Sequence, residues 1–298
     1  MDIFALIAAF GGGVFAAAIG ATNAFILTGV FAIVGTAVGM AGQAAASGFI
    51  LNQIAFGSFF GPHISFAGGV AAAAYAKKKG YADNGCLLFD CIGGQAHPDA
   101  LCVGGVFGVI GYLAITFLVA PWSGSTPKLA TDNPGIVVFF SGVLVRLIFG
   151  GKLRTGDGVI SKGKAMANNL LIGAGFGLLV AGVYAALVNG GATDDVLGNY
   201  PVMCFGIAAI GLVAALVGKS FVGCHHVFLP AALATHKCYQ FTGNIGMAVA
   251  VGVVFGVIGI LLGDLEGNLI NSGTDSHIDN PAFAIFLTTF AINALWGK

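Results

Sequence analysis

Residues 3–76 contain no Asp, Glu, Lys or Arg. A stretch of that length has no charged groups with which to cover a water-facing surface, and at about 20 apolar residues per crossing it has room for three passes of lipid. The rest of the chain keeps this character, with 57% hydrophobic and 8% charged residues over 298 positions, against roughly 25% charged in a soluble domain. The expected class is an all-α polytopic integral membrane protein. A transmembrane β-barrel does not fit, because the apolar runs are continuous and lack the period-two alternation of lipid-facing strands.

The 49 glycines and the Ala-rich runs let helices approach closely, as packing by small residues in lipid requires. The same Gly-rich faces are candidate contacts for a homo-oligomer. Twelve Lys and Arg balance twelve Asp and Glu, and no segment forms a basic surface, so the expected partners are the lipid bilayer and not nucleic acid. The start, MDIFALIAAFGGG, lacks a positive n-region and is expected to be a retained first helix. Cys86, Cys91, Cys102, Cys204, Cys224 and Cys238 show no paired metal spacing and are expected as reduced thiols.

The tail of each half reads almost alike. GGVFGVIGYL at 104–113 answers GVVFGVIGIL at 252–261, and DNPGIVVFFSGVLVRLIFG at 132–150 answers DNPAFAIFLTTFAINALWG at 279–297. Upstream, SFFGPHISF at 58–66 and SFVGCHHVF at 220–228 share S-F-x-G-x-H-x-x-F. The reading is therefore two tandem homologous repeats, 1–150 and 165–298, joined by a basic cytoplasmic linker over 151–164. Transport folds are commonly built from such repeats. Asp132 and Asp279 each precede Asn-Pro, which suits a capping carboxylate and a proline in the first helical turn. These are expected as helix starts at the membrane surface.

The basic residues Lys77–Lys79, Lys152, Arg154, Lys162, Lys164, Lys219, Lys237 and Lys298 mark cytoplasm by the positive-inside rule. The acidic segments 190–200 and 263–280 mark the outside. On that count 220–238 begins and ends on the cytoplasmic side, as a re-entrant hairpin, with a second ending at Lys77–Lys79. The layout is then about eight crossings plus two re-entrant or broken helices, with repeats related by an axis along the membrane normal and a cytoplasmic C-terminus. The alternative is ten crossings as inverted repeats.

Pro62 before His63 breaks any preceding helix and starts a new one. The new helix end, with unpaired N–H groups, attracts anions. His225 occupies the matching place, with His226 beside it. Broken helices at membrane depth line pathways, so the candidate substrate-binding residues are His63, His225, His226, Ser58, Ser220, Gly61 and Gly223. Arg146 and Asp90 are candidate pathway charges; Arg146, four residues before Gly150, is expected to snorkel to the interface. Trp122 and Trp296 suit interfacial anchors.

Phosphate-loop, dinucleotide, HExxH and GxSxG motifs are absent from the sequence, so no cofactor, no metal and no catalytic residue is expected, and the chain has no ATP motor of its own. The functional expectation is a secondary carrier or channel in the cell membrane for a small solute, a small anion or polar neutral molecule. That sign rests on donors at the helix ends and on a site read as having no paired carboxylates. A transition-metal transporter, a non-transport accessory subunit and an intramembrane enzyme are the alternatives.

Overall fold

The structure is a computed structural model that describes residues 2–122, 130–154, 156, 158–219 and 222–297, and all its regular elements are helices. Six of these, Ala21–Met40, Pro98–Val119, Asn133–Gly150, Lys164–Asn189, Asp194–Leu216 and Ile245–Asn271, are long and apolar enough to cross a membrane. The chain is thus an all-helical protein compatible with multiple passes through a bilayer.

The first half comprises α1 (Ile3–Ile19), α2 (Ala21–Met40), α3 (Ala44–Phe49), α4 (Ser65–Lys79), α5 (Pro98–Leu113) and α6 (Asn133–Val145). Helices α3, α5 and α6 each run on into a wider π-helical turn, over Ile50–Ala55, Ala114–Val119 and Arg146–Gly150. Gly20 alone joins α1 to α2. Its φ of +94° is open to glycine, and a Cβ there would press on the Phe89 carbonyl. The second half comprises α7 (Lys164–Asn189), α8 (Asp194–Ile210), the short α9 (Val213–Leu216), α10 (His225–Thr242), α11 (Ile245–Glu266) and α12 (Asn280–Trp296). Helix α11 ends in a π-helical turn over Gly267–Asn271.

Glycine seams set the packing within each half. Gly104 and Gly108 of α5 lie against Gly13 and Ala9 of α1, and Gly252 and Gly256 of α11 lie against Ala181 and Gly177 of α7. Backbones meet directly there, which small residues allow and any larger side chain would prevent. Between the halves, α2 packs on α8 and α6 on α12. Both pairs run antiparallel. Phe25 meets Phe205, Gly29 meets Gly206, Thr36 meets Met203 and Gly39 meets Asn199 along α2 and α8. Along the other pair Thr131 meets Thr289, Gly135 meets Ala282, and Phe139 meets Phe283 and Phe286.

Three expectations are corrected here. The segment expected to double back as a hairpin before Lys237 is one uninterrupted helix over His225–Thr242, lying along α7 through Phe176–Phe228 and Tyr184–His236. Pro230 does not break it: a proline cannot donate to the carbonyl four residues back, and that carbonyl, of His226, packs on Gly259. In the first half, α3 and α4 both run antiparallel to α2, through Gly39–Ser47 and Gly35–Leu51 on one side and Ala21–Gly69 and Phe25–Phe66 on the other. They form one discontinuous helix interrupted over 56–64, not a hairpin.

Arg146 is also corrected, since it does not snorkel. It is 0% exposed, and its guanidinium donates to Ser276 Oγ and O, Ile270 O, Leu153 O, Asn271 Oδ1 and Thr274 Oγ1. Those acceptors belong to the linker and to the turn before α12, so Arg146 ties the last helix of the first half to the second. The third correction concerns register. The carbonyls of His63 and Gly68 pack on Gly111 and Gly104, while those of His226 and Ala231 pack on Gly259 and Gly252. By these contacts His63 answers His226, and Pro62 answers His225, one residue away from the sequence match. The approaches to the two helices differ: α4 starts two residues after His63, and α10 starts at His225 itself.

Candidate functional site

Four helix starts converge between the halves: those of α4, α6, α10 and α12. They enclose a cavity of about 260 Å³ lined by Pro62 and Phe66, by Asp132, Pro134, Gly135 and Val138, by His225 and Leu229, and by Asp279, Ala282 and Ile285. Most of these fall into matching pairs, one from each half. Phe25 and Val202, Phe56 and Phe205 complete the wall. A second cavity of about 620 Å³ adjoins it and is more polar, with Asn169, Ser161, Asp264, Asn268, His226 and Asn280 among its lining. Phe25, Phe66, His225 and Asp279 line both. These four side chains stand where one cavity meets the other.

The two aspartates cap their helices as the Asp-Asn-Pro sequence leads one to expect. Asp132 Oδ1 accepts from Gly135 N at 2.6 Å, and Asp279 Oδ2 accepts from Ala282 N at 2.8 Å. The expectation of a surface position is corrected, because both carboxylates line the central cavity. The helix start is satisfied by one oxygen of each group. The other oxygen of Asp279 faces His277 Nε2 at 3.1 Å, and that of Asp132 takes no hydrogen bond from the described residues. The premise that the site lacks paired carboxylates therefore does not hold.

His225 is 5% exposed, its ring 4.8 Å from Phe25, and its Nδ1 has no hydrogen-bond partner among the described residues. His226 is buried on the second cavity, with Nδ1 also unpartnered. Gly223 lines that cavity too. His63 is buried but lines neither cavity; its backbone packs on Gly111. Gly61 folds back on the carbonyls of Gly57 and Phe56, and Ser58 donates to Ala5 O of α1. Asp90 is exposed on the loop before α5. Ser220 and the Trp122 side chain lie outside the described residues. Trp296 packs on Phe255.

Sequence reasoning missed the aspartates as cavity residues and missed the phenylalanines altogether. The signal for the former was present: each is a charge repeated in both halves just ahead of an apolar helix. Nothing marked Phe25, Phe56, Phe66 and Phe205 among 25 phenylalanines. Also unforeseen was Glu266, 1% exposed, whose Oε2 accepts from Asn271 Nδ2 at 2.7 Å while Asn271 Oδ1 accepts from Arg146. This network braces the turn that carries Asp279. No group of three or more His, Cys, Asp or Glu among the described residues is arranged to hold a metal ion.

The sequence profile of a family of unknown function (DUF7973) matches residues 1–162 and 172–297. No curated protein and no solved structure matches the chain.

Proposed function

The chain belongs to that family, and on that premise we propose that it is a membrane transport protein, a secondary carrier or channel, passing a small solute through the cavity between its halves. One observation supports the reading: the polar cavity of about 620 Å³ and the central one of about 260 Å³ abut at Phe25, Phe66, His225 and Asp279, so the polar cavity reaches as far as the side chains that wall the paired aspartates. The interruption between α3 and α4 and the starts of α6, α10 and α12 bring helix ends to this cavity; irregular backbone is tolerated in lipid only where it is buried in protein or lines a wet space, and it marks substrate sites in repeat-built transporters.

We adopt ten crossings as two inverted repeats over eight crossings with re-entrant segments. An axis along the membrane normal would leave matched helices parallel, whereas α2 and α8, and α6 and α12, run antiparallel. Lys77–Lys79 and the linker share one end of the molecule, since Lys78 Nζ donates to Ile148 O, Lys77 faces Asp275, and Ser161 donates to Asp264. By the positive-inside rule that end is cytoplasmic. The polar cavity opens towards it, and the C-terminus then faces outside. The membrane in this reading is the cell membrane.

The test is flux in proteoliposomes, using solutes that cross a bare bilayer slowly: tetramethylammonium, methanesulfonate and erythritol. Entry of at least one of them faster than into protein-free vesicles is expected, with Phe25→Trp slowing it at the meeting point of the cavities. Entry no faster than the bare bilayer for every class overturns the reading.

A further inference from the structure

We propose that the central cavity binds a small organic ammonium ion; this rests on reading that cavity as the solute site. Its wall combines two carboxylates with four phenylalanine rings, and among the described residues that line it there is no Lys or Arg. Phe25 stands 5.7 Å from Phe66 at an interplanar angle of 62°, and 5.7 Å from Phe205 at 83°; Phe56 stands 5.8 Å from Phe205 at 45°. The rings pack edge-to-face or tilted against one another within the core, and each also borders the cavity. Aromatic walls attract ammonium groups through the ring quadrupole, and an adjacent carboxylate supplies the countercharge.

The polar atoms complete the match. Asp132 spends one oxygen on Gly135 and has the other unbonded by the described residues. Buried His225 lines the same cavity, and its Nδ1 has no hydrogen-bond partner among the described residues. A carboxylate oxygen free to accept, as on Asp132, suits an ammonium that still carries hydrogens, that of a primary or secondary amine. An anion would meet two like charges and no cationic side chain. Mg²⁺ and Ca²⁺ take about six or more oxygen ligands, which phenylalanine walls do not supply, and no group of three or more His, Cys, Asp or Glu among the described residues is placed to hold a transition metal.

The experiment is thermal unfolding of the purified full chain in detergent with three propyl compounds of similar size, at matched ionic strength: propylammonium chloride, sodium propionate and 1-propanol. A ligand that binds the native state raises the melting temperature by mass action, and propylammonium is expected to raise it saturably by at least about 3 °C. Asp132→Asn keeps a good helix cap and removes the charge, so it is expected to fold and to need at least about tenfold more propylammonium for the half-maximal shift. Phe25→Leu is expected to weaken the same response. No shift beyond that of sodium chloride, or an equal shift with propionate or propanol, overturns the proposal. Propylammonium binding without flux of any solute would keep the site and remove transport; flux with the binding preference reversed would do the opposite.

Discussion

Replacing Arg146 by Met removes a guanidinium that is 0% exposed and makes hydrogen bonds to Leu153, Ile270, Asn271, Thr274 and Ser276. Methionine fills much of the volume, so the loss is chiefly polar. Each stranded buried acceptor costs about 1–3 kcal/mol, offset in part because the variant no longer desolvates a charge. Glu266, 1% exposed and bridged to Arg146 through Asn271, loses its nearby cation, and breaking such a buried set from one side typically costs about 3–5 kcal/mol. At about 2–4 °C per kcal/mol for chains of this order, the melting temperature in detergent should fall by roughly 6–20 °C. Adding Glu266→Gln should recover part of the loss. The matching position in the last helix, Asn293, makes one such bond, to Ala130 O at 3.1 Å, so Asn293→Ala should cost only about 1 kcal/mol. An Arg146→Met protein melting within about 2 °C of the parent, or no more affected than Asn293→Ala, would refute the argument that this arginine ties the halves together.

Gly111→Val and Gly259→Val should both lower stability markedly, because a Cβ at either site overlaps the carbonyl of His63 or His226; overpacking of this kind costs about 1–3 kcal/mol or more. Gly182→Val, with nothing within 4 Å of its Cβ position, is the control, and equal melting of all three would count against the seam. In a cysteine-free background, single cysteines replacing Lys79 and Lys237 should be labelled from opposite sides of sealed vesicles by a membrane-impermeant maleimide. Labelling of both from one side would restore the re-entrant layout.

Residues 3–76, without a charge, are enough to set the membrane class, and the two Asp-Asn-Pro helix starts and the G-x-V-F-G seams are legible for the same reason: composition and local chemistry act within a few residues. Asp132 and Asp279 cap α6 and α12 as their neighbours dictate. Whether a helix start lies at the surface or in a central cavity depends on what packs beside it, and local sequence carries no such information. The one-residue slip that pairs His63 with His226 has the same origin, for the S-F-x-G-x-H-x-x-F match aligns letters, while the carbonyls seated on Gly111 and Gly259 align backbones. Arg146 reads as an interfacial residue because it sits near a helix end; its acceptors at 270–276 are more than a hundred positions away. Charge, propensity and capping are local and are written in the chain. The direction of one half against the other, the phenylalanine walls and the burial of Arg146 come from contacts between distant segments, and those exist only once the two halves have packed.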